Sequence, residues 1–463
     1  MLTAARTFED TSRAQARESR LCTPADVGYD QARQAWNLAL DQRPAAVARV
    51  RSVEDVIDVV AHARHNDLRI AAQRTGHNAA PLGSLHDTVL VRTDAMQSIV
   101  IDPHRRLARV APGVLSQALT LDASHYALAP LVGSSPTVGV VGYTIGGGIS
   151  FLSRRHGLAA NRVRAMELVT ADGRALRADP DHEPDLFWAV RGGGGSFGVV
   201  TALEIELLPV PKVYAGLLWF PIVRAAEVLH TWADLTRKGL PDELTTIGRL
   251  LRLPDSPDVE TALRGKAFAV VEAIHVGEPR DADHLLSGLR ALGPTCDTVR
   301  PISMPALGSL HMDPGLPIAA QSDGWMLRDL PAQALDVLLD LAGPGTECPL
   351  TNVELRHLDG AIARPDPGGG VVSSLNGRYL AIAAGPAPDP RSRRRAMETI
   401  ESVKDVLSRW AAPRTYLNLA GSSQPGASLW DPPSLSKLRQ IKDAVDPANI
   451  IRSNHPVRFE GKG

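Results

Sequence analysis

The stretch SSPTVGVVGYTIGGGISFLSRRHGL, residues 134–158, carries one of three glycine concentrations in the first half of the chain, at Gly146-Gly147-Gly148. The others lie around Gly76 and at Gly192 to Gly195. Glycine permits positive φ and close backbone approach, so such turns can aim several N–H groups at one phosphate. A single cluster is ordinary loop chemistry; three within one half of a chain are less easily dismissed. Neither common motif fits. No GK[ST] follows, as a P-loop requires, and GGGGSF lies between two apolar runs instead of opening a helix, which fails the Rossmann fingerprint. A nucleotide held by a different fold stays open.

Outward from these loops the pattern is mixed helix and strand. Ser52 and Asp55 form an S-x-x-D start signal ahead of Val53, Val56, Ile57 and Val60 at helical spacing. Leu68 to Ala72 reads as a buried strand leading into RTGHNAAPLG, residues 74–83. Thr88–Thr93 and Leu107–Gly113 are further strand candidates, with a helix near Val114–Ala123. MELVTADGRALRA, from Met166, has two strand-like runs about Asp172-Gly173, a hairpin signal. Past Pro209 and Pro211 the glycine loops thin out and apolar strands alternate with helical stretches such as PAQALDVLLDLAG, so a second domain begins there. Near the end, SLSKLRQIKDAV reads as a helix stopped by Asp446-Pro447.

Composition bounds the function. The 463 residues exceed one hydrophobic core and imply two or three domains. Fifty Lys+Arg against 51 Asp+Glu leave a formal charge of −1, which supplies no drive toward nucleic acid or anionic membrane. Cys22, Cys296 and Cys348 are far apart, without CxxC or Cys/His spacing, so neither a disulfide framework nor a structural zinc site is expected. The first twenty residues form a polar segment, expected to be partly disordered, with no apolar h-region, and no run approaches a membrane span. A reducing cytoplasm is the default expectation. Only seven of the 50 basic residues are lysines, a bias that hints at a bacterium with GC-rich DNA.

The order RTGHNAAPLG, then SSPTVGVVGYTIGGGISFLSRRHGL, then DLFWAVRGGGGSFGVVTALEIEL, then YLNLAG with KDAVDPANI, resembles the berberine-bridge-enzyme-like flavoproteins of the vanillyl-alcohol-oxidase superfamily. The resemblance runs from about Thr23 to Val457. It implies an α+β, two-domain PCMH-type FAD-binding fold. Residues 23–210 would form the FAD-binding domain, 211–410 an α/β substrate domain with an antiparallel sheet, and 411–457 a segment returning to the FAD domain. No metal is implied.

By this resemblance, Gln73 to Asn78 (with Arg74, Thr75 and Gly76) form the pyrophosphate cradle, and His77 carries FAD covalently as an 8α-N-histidyl link. A loop histidine is ordinarily a polar surface residue; its place inside R-x-G-H is what singles it out. The neutral imidazole is the nucleophile of that attachment. Many relatives add a cysteinyl bond from a CPTVG motif, whereas this chain has Ser135-Pro136-Thr137-Val138-Gly139, so no cysteinyl link is expected. Ser135, Thr137, Val138, Gly139, Gly142, Tyr143, Gly146, Gly147 and Gly148 would line the isoalloxazine and diphosphate, and Gly198, Val199 and Val200 the adenosine and ribityl side. The side chains of Val199 and Val200 read equally well as core.

Tyr416 and Asn418 match the family's Y-x-N motif, tyrosine toward substrate and asparagine toward the flavin; in an extended segment both would share a face. A tyrosine of ordinary pKa near ~10 needs a neighbouring cation or a flavin N–H environment to act as a base, and Arg378 or another arginine could supply that. Tyr416 reads alternatively as a buried residue donating one hydrogen bond. Tyr379 is the preferred roof residue over the flavin, with Glu354 and His357 behind it; for each, a salt bridge or core hydrogen bond is at least as good a reading. The expected activity is FAD-dependent oxidation of a small natural product (alcohol, amine or sugar) at a C–H next to O or N, with hydride passing to flavin N5 and O2 as acceptor giving H2O2. Tailoring of a secondary metabolite is the contextual guess. The rival is a redox-neutral cyclase or isomerase that keeps FAD as a scaffold.

Overall fold

The computed structural model describes residues 21–257 and 259–458. The polar opening segment read from the sequence lies outside the described residues. Helix Val53–His65 begins where the start signal places it: the Ser52 side chain accepts from the Asp55 N–H, and the Asp55 carboxylate accepts from the Arg51 N–H at 2.9 Å. Strands Arg69–Gln73 and Thr88–Arg92 follow. They pair in parallel within a five-stranded sheet that also holds Ala46–Arg49 and, at one edge, Ile451–Arg452 from the far end of the chain. That return is held by a buried ion pair. Lys442 donates to Asp446 at 2.5 Å and to the carbonyls of Ser196 and Ile451, and Asp446 accepts from the N–H groups of Ile450 and Ile451.

A second five-stranded sheet is wholly antiparallel, in the spatial order Ile99–Asp102, Leu107–Val110, Val199–Glu206, Val163–Val169, Ala175–Ala178. Its last two strands are the hairpin predicted about Asp172-Gly173, where Gly173 takes φ of 85°. Val199 and Val200 pair with Val169 and Leu168, and their side chains enter two separate cores, as strand alternation requires.

Lys212–Pro221 opens an antiparallel eight-stranded sheet, at the point where the sequence changes character. Helices Ala225–Arg237, Pro279–Ala291, Ala332–Ala342 and Pro390–Leu407 share one core with this sheet, built on Trp232, Leu286, Leu335 and Ile400. Each fully buried leucine there contributes roughly 1.5–3 kcal/mol. Met326, Leu380 and Ile382 instead pack with Ile149, Leu158 and Tyr416 of the glycine-loop half.

This division of faces corrects three expectations. Tyr379 lies on the helix side with Val353, Leu355 and Ala381; its hydroxyl is 2.8 Å from the Thr236 hydroxyl and its ring packs edge-on against Trp232. It is not a roof residue over the site. His357 shares the parity of Val353 and Leu355 and is held between Arg154 and Asp359 at 3.1 and 2.9 Å, although at the end of its strand it also lines a cleft with Arg356 and Ile149. Arg378 is paired with Asp359 at 3.1 Å instead of approaching Tyr416. Both faces of these strands are covered, so alternation groups the residues correctly without saying which group meets the glycine loops. Among the described residues no helix is long and apolar enough to cross a membrane, and no group of three or more His, Cys, Asp or Glu side chains could hold a metal. The three cysteines are free.

Candidate active site

Tyr416 stands where the two halves meet. Its phenolic oxygen accepts from the N–H of Gly148 at 2.8 Å, the N–H of Ile149 at 3.1 Å and Asn418 Nδ2 at 2.9 Å. Gly147 and Gly148 make this possible by taking φ of 116° and 76°, values an L side chain rarely adopts. A Cβ on Gly148 would also lie 2.5 Å from that of Ala159. The Y-x-N segment is not extended: Leu417–Leu419 is a short 3-10 turn. The tyrosine and asparagine converge all the same, because Asn418 Nδ2 bridges the phenolic oxygen and the Tyr143 carbonyl, the latter at 2.8 Å. Burial raises the Tyr416 pKa above the ordinary tyrosine range, against the pull of the three N–H donors and the Arg356 charge.

The R-x-G-H loop lies at the end of strand Arg69–Gln73. His77 is sandwiched by contacts the sequence does not announce. The Trp36 ring stacks on its imidazole with centroids 4.1 Å apart and planes at 21°, and Thr137 Oγ1 lies 3.0 Å from Nε2. Ser135 Oγ is 3.2 Å from that same Thr137 hydroxyl, so the serine sits on the edge of the histidine site. Burial lowers the His77 pKa to about 4, which leaves a neutral imidazole across the physiological range. Arg74 donates from Nε to the Gly113 carbonyl at 2.6 Å and has no carboxylate partner among the described residues. Thr75 accepts at its carbonyl from the Trp36 N–H, 2.7 Å away, and Gly76 turns the chain with φ of 82°. The Asn78 carbonyl accepts from Asn454, and its side chain approaches the Leu417 carbonyl at 3.4 Å. The C-terminal segment thus closes on the N-terminal loop.

Along residues 134–158, the Val138 carbonyl accepts from Ser116, and Gly139 precedes helix Val140–Ile145 with Gly142 on its exposed side. Gly146 lies directly beneath the Asn418 amide. Gly198 is pressed against the Val169 carbonyl, where a Cβ would come within 2.7 Å. Three buried donors in this region have no hydrogen-bond partner: Trp36 Nε1, Gln73 Nε2 and the Tyr143 hydroxyl. Unspent buried donors are costly, and here they accompany an arginine without a carboxylate and a neutral histidine. That donor set fits an anionic, carbonyl-rich group such as a flavin dinucleotide.

Glu354 does lie on the face turned to the glycine loops, but it is not a free carboxylate. It accepts from Arg356 Nε at 2.6 Å and from Asn352 at 3.0 Å, and His311 Nε2 lies 2.9 Å away. Burial favours its neutral form, yet Arg356 and His311 hold it well below the usual carboxylate range. The cation near Tyr416 is therefore Arg356, not Arg378. Sequence reading passed over Trp36, Arg249, Glu272, His311 and Arg356 as site residues. Only Arg356 had a signal to find, since it shares strand parity with Glu354.

A family model for an FAD binding domain matches residues 44–179. The chain is 29% identical to (R)-6-hydroxynicotine oxidase of Paenarthrobacter nicotinovorans, over 95% of this chain and 96% of that protein. The solved structure of 6-hydroxy-D-nicotine oxidase from Arthrobacter nicotinovorans superposes with a TM-score of 0.81 at 25% identity, covering 96% of this chain and 98% of that one. The berberine-bridge-enzyme-like protein 1 of Physcomitrella patens shares the fold, with a TM-score of 0.84 at 19% identity over 97% and 99% of the two chains. The chain carries an FAD binding domain, is similar along nearly its whole length to an FAD-linked oxidase, and shares the fold of the berberine-bridge-enzyme-like flavoproteins.

Proposed function

We propose that this protein is an oxidase of a small natural product, with FAD linked covalently through His77 alone. The observation that carries the reading is the convergence of three N–H donors on the Tyr416 oxygen, at the seam between the glycine loops and the eight-stranded sheet. Residues 23–210 and 411–457 hold the cofactor and 211–410 cover it. The flavin, when bound, supplies a hydride acceptor that dioxygen can discharge to hydrogen peroxide.

The chain's own residues do the rest. Arg74, Thr75, Gly76 and Asn78 cradle the pyrophosphate, with backbone from Val138 to Gly148 beside it. His77, neutral and clamped between Trp36 and Thr137, is the nucleophilic nitrogen of the attachment. Ser135 cannot supply a thioether. Tyr416 takes the proton from the substrate O–H or N–H, and the three N–H groups stabilise the phenolate that reaction requires. Because burial raises its pKa, the phenol is protonated at neutral pH, so the rate should climb as pH rises above 7. The small-molecule partners fit the oxidases that the relatives are named for, including an oxidase of xylooligosaccharides.

Two measurements test the proposal. After acid precipitation the yellow colour should stay with the wild-type polypeptide and be released from His77→Ala; colour retained by that variant would place the link elsewhere. Under anaerobic mixing, an oxidised substrate found by a peroxide-detecting screen should bleach the flavin, and the alkaline rise in rate should vanish in Tyr416→Phe. Turnover with the flavin still fully oxidised would replace the oxidase with a redox-neutral cyclase.

A further inference from the structure

Five ionisable side chains gather on the face of the eight-stranded sheet opposite its helices. Arg249, Glu272, Glu354 and Arg356 come from three adjacent strands, and His311 from the loop after Met304–Leu307. Glu272 takes Arg249 Nη1, with His311 Nδ1 2.9 Å away. Glu354 is fully engaged by Arg356 Nε, Asn352 and His311 Nε2. Arg249 also donates to the His311 carbonyl at 3.0 Å and to Asn352 Oδ1 at 3.1 Å. Every acceptor in the cluster is used.

Arg356 is the exception among the cations. Its Nε reaches Glu354, while Nη2 approaches only His311 Nε2, at 3.4 Å. Burial opposes a charge on His311, but the two glutamates outweigh it and push its pKa up to about 9, so that ring nitrogen is itself a donor. The terminal nitrogens of Arg356 therefore have no acceptor among the described residues. The five groups comprise three cations and two anions. The nearest further carboxylate, Asp313, lies 4.0 Å from His311 Nε2 and accepts from Ser134 at 2.7 Å. The Arg356 side chain keeps 14% exposure where Glu354 has 1%.

Arg356 lines a small cleft with Ile149, Phe151, Ile247, Leu358 and Ile362, alongside the polar Ser150 and Thr245. Arg154, the other cation on the wall, spends its donors on the carbonyls of Leu240, Pro241, Leu244 and Leu358. Ile149 supplies one of the N–H groups on the Tyr416 oxygen, so the cleft adjoins the proposed base. A guanidinium with unspent donors beside apolar side chains is matched by a carboxylate, which its planar fork can take in two parallel bonds.

We propose that Arg356 is the specificity residue of the substrate cleft and that it binds a carboxylate on a substrate whose remaining surface is largely apolar. This rests on the cleft beside Tyr416 being the substrate site. The test uses sodium benzoate as probe and benzamide as its uncharged counterpart, on the flavin-loaded enzyme. Binding is read as a flavin difference spectrum and, independently, as a thermal shift. Benzoate should bind saturably and benzamide at least tenfold more weakly. Arg356→Leu should lose about 10- to 100-fold in benzoate affinity, the range of a charge-assisted hydrogen bond, with part recovered in Arg356→Lys. Equal binding of benzoate and benzamide to the wild type, or wild-type benzoate affinity in Arg356→Leu, would overturn the assignment. If Arg356→Leu fails to fold because Glu354 is left unpaired, the double variant Glu354→Gln/Arg356→Gln removes both charges and carries the same comparison. A colourless protein would end the flavin reading, while the thermal shift would still decide this one.

Discussion

Replacing Tyr416 by Phe removes one oxygen and keeps the ring, so it isolates what that oxygen does. In the wild type it accepts from Gly148, Ile149 and Asn418. In the variant Asn418 Nδ2 keeps the Tyr143 carbonyl at 2.8 Å, but the two backbone N–H groups lose this acceptor in a buried setting. A buried donor without a partner costs about 1–3 kcal/mol, so the substitution should destabilise the chain by about 2–6 kcal/mol. That is a large share of a typical folding free energy of roughly 5–15 kcal/mol. Urea unfolding in a His77→Ala background freed of its unlinked flavin, followed by tryptophan fluorescence, should show a lower midpoint at unchanged slope. Tyr143→Phe is the matched comparison. Its hydroxyl is buried with no partner, so its removal should cost nothing or stabilise. A Tyr416→Phe midpoint equal to the wild type, or a larger loss in Tyr143→Phe, would refute the claim that the glycine loop is held by the phenolic oxygen.

Two further outcomes follow from the charge cluster and the histidine site. The folded-state pKa of His311, about 9, lies above the ordinary value near ~6.5, so its contribution to stability is complete below about pH 6.5 and is lost as pH rises through about 9; melting curves from pH 6 to 10 should fall over that limb in the wild type and flatten in His311→Gln, and a flat wild-type profile would contradict the paired imidazolium. Ser135→Cys should acquire under air a second, acid-stable flavin link, read as a peptide mass joining residues 77 and 135 through the flavin; a free thiol at position 135 in that variant would show that the Thr137 bridge does not put this position at the ring edge.

Much of the cofactor half was legible because its constraints are local. Ser52 caps its helix through contacts within four residues, and Asp172-Gly173 turns its hairpin in the same way. The glycines at 147 and 148 declare a backbone that side chains would block. The second half was legible as strands but not as faces. Tyr379 and Leu380 are neighbours on one strand, yet one packs on Trp232 and the other with Tyr416, and both are fully buried. No apolar pattern distinguishes two buried faces.

The amino-acid order by itself determined where the chain turns, which loops are rich in glycine, and that residue 135 lacks a sulfur. Only the tertiary structure decided that Trp36 covers His77, that Glu354 is spent on an ion cluster, and that Arg356 is the arginine whose charge reaches the tyrosine. Each of those facts joins residues far apart in the chain, and the strength of such a contact depends on distance and burial, which residue identity alone does not encode.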